Sequence, residues 1–347
     1  MKLFSKSIIL LFILTMLMFF NQAKSQQVDS LMKKIEGIGD YLLYRNQDTC
    51  FISNYGKEVA VRVVATNKYN YFRLRDRINK TRIRYRPVRD VSLGAGVSYK
   101  WFALDITFSL GLSNTSQFEN TRSFDFQARM YSSKQYISAT LQYYQAYLLG
   151  NISGVDVELK EGSERREDIR TITFGLQYIY AFNYTRFSMK APFVFNEVQR
   201  KSAGSPVLGV SYNMFEMDAD SSIIPIEVSG YFDPQLQMSD LSIISVALSF
   251  GYMYTYVYKK HYFLTLSLIP GINFNGGDYF TTTRNYISPN FNLKLNSMNA
   301  IGYNGRRFFA GFSLVADGFF SRLEKKLSVE IGSGKLNIFV GYRFGRK

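Results

Sequence analysis

The stretch from Leu241 to Asn273 constrains this chain more than any other. Ile244, Val246, Leu248, Phe250, Tyr252, Tyr254, Tyr256 and Tyr258 recur with a period of two, and Ser245, Ala247, Ser249, Gly251 and Thr255 fill the alternate positions. Lys259-Lys260-His261 reads as a reversal, and the return strand repeats the pattern with Tyr262, Leu264, Leu266, Leu268 and Ile272 against Thr265, Ser267, Gly271 and Asn273. A period of two is that of a strand. A soluble sandwich buries its bulky face and shows water a charged one. Here the second face is small and uncharged, which suits the crowded inside of a barrel whose oily outside meets lipid. The pattern predicts an all-β, closed antiparallel transmembrane β-barrel.

The rest of the chain fits that expectation. Aromatic residues make up 16% of it, with 30 Phe and 26 Tyr but one Trp, as two interfacial girdles would require. Lys2 and Lys6 precede an apolar run from Ile8 to Phe20, and Ala23-Lys24-Ser25 offers small residues for cleavage, so residues 1–25 read as a secretory signal. No later stretch is continuously apolar over the roughly 17–25 residues that a spanning helix needs. If the exported chain remains in a membrane, strands must cross it. Loss of Lys2, Lys6 and Lys24 with the signal lowers the formal charge from +15 to +12. Export argues against nucleic acid as the partner of this basic chain and favours anionic lipid phosphates, including those of lipopolysaccharide. The expected location is the outer membrane of a Gram-negative bacterium. One cysteine, Cys50, excludes an internal disulfide framework, and it reads as a small apolar packing residue.

Residues 26–57 read as a periplasmic lead-in, with helical spacing over Val28–Tyr44, and residues 58–347 as the barrel. Strands are predicted from Val59, Val91, Phe102, Phe124, Tyr136, Ile172, Phe291, Phe308 and Leu336, besides the organising hairpin. Turns at 100–101, 132–134, 183–184, 259–261 and 304–305 are short; 76–90, 113–121, 149–168, 216–239, 274–290 and 321–335 read as long loops. Short turns are periplasmic by the usual rule, and both termini share that side, so the count is even. Twelve strands satisfy both directions of counting if residues 185–215 supply one spanning strand. Fourteen result if Arg186–Phe195 and Pro206–Phe215 both span and Leu327–Ile331 adds another. Pro270 demands a bulge or a strand end near it.

Several segments taken in order carry a family resemblance: Arg84-Tyr85-Arg86-Pro87 with Leu93-Gly94-Ala95-Gly96 and Tyr99-Lys100-Trp101; Ser123 to Arg129; Lys201-Ser202-Ala203-Gly204; and Tyr342-Arg343-Phe344. Together they resemble the uncharacterised barrel family known as domain of unknown function 4421, seen in Bacteroidetes. The resemblance implies an outer-membrane location and brings no catalytic residues. The aromatic last strand is of the kind that barrel-assembly machinery is thought to read.

The lone histidine, His261, reads as a turn residue, and no nucleophile–base–acid set forms around it. No spacing suggests a metal site, and no cofactor is expected. Gly94 and Gly96 lie in a strand and are no phosphate cradle. Two arginine rows stand out. Arg73, Arg75 and Arg77 follow the outward face beyond Tyr71, where guanidinium groups can contact lipopolysaccharide phosphate. Arg82, Arg84 and Arg86 share the parity of Ser92 and Gly94 and are expected to line a lumen mouth. Lys100, Asp105, Asp125, Arg129 and Arg343 are expected inside, where mixed signs favour an ion-pair network. The chain therefore reads as a non-enzymatic barrel, a channel or transporter for small solutes with anions favoured. The alternative is a plugged structural or accessory barrel serving envelope assembly or surface attachment, whose protein partners the sequence does not name.

Overall fold

The computed structural model describes residues 47–345 apart from 89–90, 100–101, 110–121, 151, 158 and 161. The expected signal, the helix over Val28–Tyr44 and Lys100 lie outside the described residues.

Two short strands, β1 (Ile52–Asn54) and β9 (Glu197–Gln199), pair with each other apart from the main sheet. The main sheet contains β2 (Val59–Asp76), β3 (Thr81–Pro87), β4 (Ser92–Tyr99), β5 (Phe102–Ser109), β6 (Arg122–Tyr131), β7 (Gln135–Leu149) and β8 (Arg165–Ala181). It continues with β10 (Ala203–Asp218), β11 (Asp240–Tyr258), β12 (Tyr262–Phe280), β13 (Arg284–Asn304), β14 (Phe308–Arg322) and β15 (Leu327–Phe344). All pairings are antiparallel, and β15 returns to pair with β2 along its whole length, so the sheet closes.

The hydrogen-bonded ring runs through ten strands: β2, β3, β7, β8 and β10 to β15. This replaces the expected twelve or fourteen. β3 pairs with the outer half of β2 and then with β7, closing the ring directly at that end. β4 pairs with the other half of β2, β5 with β4, and β6 with β7, so these three strands are appended at the short-turn end. Counting turns could not reveal that β3 and β4 divide one neighbour between them. Residues 185–196 supply no wall strand, and Leu327 to Phe344 is a single strand.

The faces follow the alternation. Leu248, Phe250, Leu266, Leu268 and Ile272 are 55–63% exposed, whereas Ser245, Thr255, Thr265 and Asn273 are at most 1% exposed. Such an inverted pattern is stable where the surrounding solvent is lipid. Tyr258, Tyr262, Tyr303, Phe308, Tyr342 and Phe344 gather at the short-turn end, several in mutual ring contact. Phe274 and Phe291 pack with tilted rings at the opposite end, with centroids 5.2 Å apart. His261 lies against the Tyr303 ring within this girdle. Among the described residues no helix is long and apolar enough to cross a membrane.

The segments expected as long loops at 76–90, 274–290 and 321–335 are mostly strand, with turns of a few residues. Pairing continues past the lipid belt, where the outward residues turn polar and the alternation loses its signal. At Pro270 the β11–β12 ladder opens between Ser249↔Gly271 and Tyr252↔Leu268 without changing register. The break is an interruption and not a bulge. At the closing seam, Gly332 and Gly334 sit opposite Tyr71 and Tyr69, whose rings occupy the space that a Cβ on either glycine would need.

Candidate functional site

Three regions of the barrel carry chemistry: a plug at the short-turn end, a cap at the other, and a polar layer between them.

The plug is built from residues 187–199. Phe187, Met189, Val194, Phe195 and Val198 are at most 3% exposed. The Phe195 ring stacks on Phe309 at 4.7 Å and packs on Phe339 at 4.4 Å, both on the inner wall. β1 of the lead-in pairs with β9 within this plug. Cys50, just before β1, is exposed, contrary to its expected packing role. Arg343, fully buried, donates to the backbone carbonyls of Phe195, Gly305 and Arg306 and to Asn304 Oδ1. It fastens the plug to the last hairpin. Lys190 and Glu197, each 1% exposed, form a buried pair at 3.5 Å.

The cap is the connection from Ala219 to Ser239. Ile223, Val228, Leu236 and Met238 are fully buried against Phe72, Leu74, Ile83, Tyr85 and Phe215 of the wall. Tyr85 donates from its hydroxyl to the Ile223 carbonyl, and Arg166 donates to the Ser222 carbonyl at 2.9 Å. Asp76 accepts from the backbone N–H groups of Ile78, Asn79 and Asp233 at 2.7, 3.0 and 2.9 Å. Burial works to raise the Asp76 pKa, but these hydrogen bonds outweigh it and hold the carboxyl below its ordinary 3.8. The Asp168 carboxyl likewise falls, burial being overcome by the Arg166 guanidinium. Depressed carboxyls stabilise the folded cap above their unfolded values, and that contribution is lost as pH falls through the folded ones. Protection of residues 220–238 against hydrogen exchange, corrected for the intrinsic pH dependence of amide exchange, should therefore fall below about pH 4. Asp76→Asn should exchange about tenfold faster at neutral pH, the size of one weakened charge-assisted bond. An unchanged profile in the variant would remove Asp76 from the cap.

Between plug and cap the lumen is filled by paired polar groups. Asp105 accepts from Arg62 Nε at 2.8 Å, and Lys68 lies 3.0 Å from Asp125. Asp125 also accepts from Gln142 and from Tyr144. Lys294 pairs with Asp317 at 2.7 Å. Arg129 donates to Gln127 at 2.7 Å. Two cavities in this layer measure about 80 and 40 Å³. Each is space for a few waters. Asp105, Asp125, Arg129 and Arg343 thus all lie inside, as their parity implied, but Arg343 belongs to the plug.

The second arginine row is a correction. On β3 the buried residues are Thr81, Ile83 and Tyr85, so Arg82, Arg84 and Arg86 face outward and line no mouth. The inward parity shifts by one between β3 and β4, across Pro87–Val91, as each pairs with a different half of β2. Both rows therefore share the outer surface beyond the belt. Arg73 pairs with Glu330 at 2.7 Å, and Arg84 lies 4.2 Å over the Tyr71 ring. Sequence reasoning passed over Arg322, Lys325 and Lys326, whose basic turn after an aromatic strand was the available signal. With Arg75 and Arg77 they flank an exterior groove of about 480 Å³, floored by Ile272, Phe291, Leu293 and Phe320. The groove forms where β13 and β14 part company above the Lys294↔Phe319 pair. None of Arg75, Arg77, Arg322, Lys325 and Lys326 has a carboxylate in ion-pair range among the described residues. Among those residues no three of His, Cys, Asp and Glu cluster as metal ligands.

Among solved structures, the outer membrane protease OmpT from Escherichia coli is similar at a TM-score of 0.37 and 7% identity, covering 84% of this chain and 98% of that one. The toluene transporter TodX of Pseudomonas putida follows at 0.27 and 9%, covering 88% and 95%. OpdK of Pseudomonas aeruginosa stands at 0.17 and 10%, covering 82% and 98%. Likenesses this faint bear no weight, and the barrel rests on its own pairing and faces. No curated protein matches the chain. Residues 46–344 match the family described as Domain of unknown function (DUF4421), and the chain belongs to it.

Proposed function

We propose that this protein is a plugged structural or accessory barrel of the outer membrane of a Gram-negative, Bacteroidetes-like bacterium. It works from its outer surface and not through its lumen. The filled interior carries this reading. Plug and cap seal opposite ends, and between them the paired polar groups leave cavities of about 80 and 40 Å³, with one of about 280 Å³ beside β6. That arrangement favours the accessory reading over the channel expected from the barrel class.

On the exterior, Arg73, Arg75 and Arg77, with Arg322, Lys325 and Lys326, stand where the outer-leaflet phosphates of lipopolysaccharide would lie. Guanidinium binds phosphate bidentately, and the apolar floor of the groove suits acyl chain. The barrel reaches its site after signal-directed export and insertion by barrel-assembly machinery.

Purified protein in planar bilayers should show no steady current above the bare bilayer. Regular single-channel steps from the intact chain would sink the closed-barrel reading. Arg75→Gln/Arg77→Gln/Arg322→Gln should retain about tenfold less lipopolysaccharide than the parent after detergent extraction, each lost charge-assisted contact costing about 0.5 kcal/mol at an exposed site. Equal retention would remove the lipid role of this face.

A further inference from the structure

Among the described residues, the wall has a place where two strands next to each other in the chain share no ladder. β5 pairs only with β4 and β6 only with β7, and among the described residues no backbone ladder connects β5 to β6. An unpaired strand edge in hydrocarbon is costly, so such a seam needs a use.

A cavity of about 280 Å³ lies at this seam. It touches Phe126 and Met130, on the lipid-facing side of β6, and also Arg129, on the lumen side of the same strand. A strand enclosed in a wall shows its two faces to two separate spaces. All six residues from Phe126 to Tyr131 line the cavity, so it runs along β6, the strand whose free edge faces β5.

The inner end of the cavity is basic. Arg62 and Asp105 neutralise each other at 2.8 Å. Arg129 donates only to the neutral Gln127, and Lys335 has no hydrogen-bond or ion-pair partner among the described residues. Arg62, Arg129 and Lys335 share this cavity with the single carboxylate of Asp105, which attracts all three, and the excess of positive charge beside two apolar side chains suits an amphiphile with an anionic head.

We propose that the β5–β6 seam is a lateral doorway for an anionic phospholipid of the leaflet at the short-turn end. Its phosphate is received by Arg129 and Lys335, and its acyl chains remain against Phe126 and Met130. This site is separate from the basic groove at the opposite end and does not depend on it.

The test is native mass spectrometry of the full chain, folded in dodecyl maltoside and titrated with dioleoyl phosphatidylglycerol or dioleoyl phosphatidylcholine. One phosphatidylglycerol should bind at least about tenfold tighter than phosphatidylcholine, with the preference lost in Arg129→Gln/Lys335→Gln and kept in Arg75→Gln/Arg77→Gln. Equal binding of the two lipids, or an undiminished preference in Arg129→Gln/Lys335→Gln, overturns the proposal. Loss of the preference in Arg75→Gln/Arg77→Gln alone also overturns it, by assigning the lipid to the outer groove. A second measurement needs no variant. Phosphatidylglycerol carrying a diazirine in its acyl chain should label the peptide containing residues 122–131 of the parent protein above all other wall peptides. Even labelling around the barrel counts against the doorway.

Discussion

Arg343→Leu should lower the unfolding free energy by about 3–5 kcal/mol, since three buried acceptors and a fourth, part-buried one lose their donor at once. The carbonyls of Phe195 and Gly305 and the Asn304 side chain are buried, and the Arg306 carbonyl lies nearer the surface. Leucine also gives up the stacking on Phe309. The loss can be read as a shift in the urea midpoint of the heat-modifiable gel mobility typical of folded barrels. A shift under about 1 kcal/mol would mean that the plug is held by its apolar packing alone. The variant should remain electrically silent, because the cap still seals the far end. Replacing residues 220–238 by a short Gly/Ser linker in the same chain should release current, and silence in that doubly altered chain would place a third seal in the polar layer.

The buried Lys190–Glu197 pair should behave differently under single and double replacement. Glu197→Ala removes the carboxylate 3.5 Å from the Lys190 ammonium and also the acceptor for the Ser188 hydroxyl at 2.6 Å. The expected loss is about 3–5 kcal/mol, the usual result of removing one partner of a buried pair. Lys190→Met/Glu197→Leu should recover most of it, because desolvating both ions costs nearly as much as their attraction returns. A double-mutant cycle on the same urea transition measures the coupling. A double variant as unstable as Glu197→Ala would show that the Ser188 bond, not the charge pair, holds this corner of the plug.

Most of the wall was legible because lipid enforces it. Phe250 and Leu266 must face out and Ser249 in, and any register violating that exposes polar groups to hydrocarbon. The interior placing of Asp105, Asp125 and Arg129 followed from the same parity. Beyond the belt this constraint disappears. The ends of β12 and β13 carry Asn275, Gly276, Gly277 and Asn285, a loop-like composition, yet they continue to pair. The strand count failed where pairing, not composition, decides, since β3 holds the same periodicity whether it neighbours one strand or two. The outward turn of Arg82, Arg84 and Arg86 was hidden by one residue of offset after Pro87. Residues 187–199 mix aromatic, charged and amide side chains without a period. They are shaped by the space they fill, and no local rule announces that. Lys335 shares the inward parity of Asn337 and Arg343, but it fell in the stretch 321–335 expected as a loop, one residue before the predicted start of a strand that begins at Leu327.

The paired glycines at the closing seam bear on how the ring finds its final form. Joining β15 to β2 unites segments from opposite ends of the chain, an encounter that local turns do not guide. Tyr69 and Tyr71 lie flat over Gly334 and Gly332 only in the native alignment. Sliding by two residues one way sets Tyr69 against Leu336, and the other way sets Tyr71 against Glu330, so either mistake leaves an aromatic ring without its hollow. The two notches thus act as a key for barrel closure, rejecting near-miss threadings before they become kinetic dead ends.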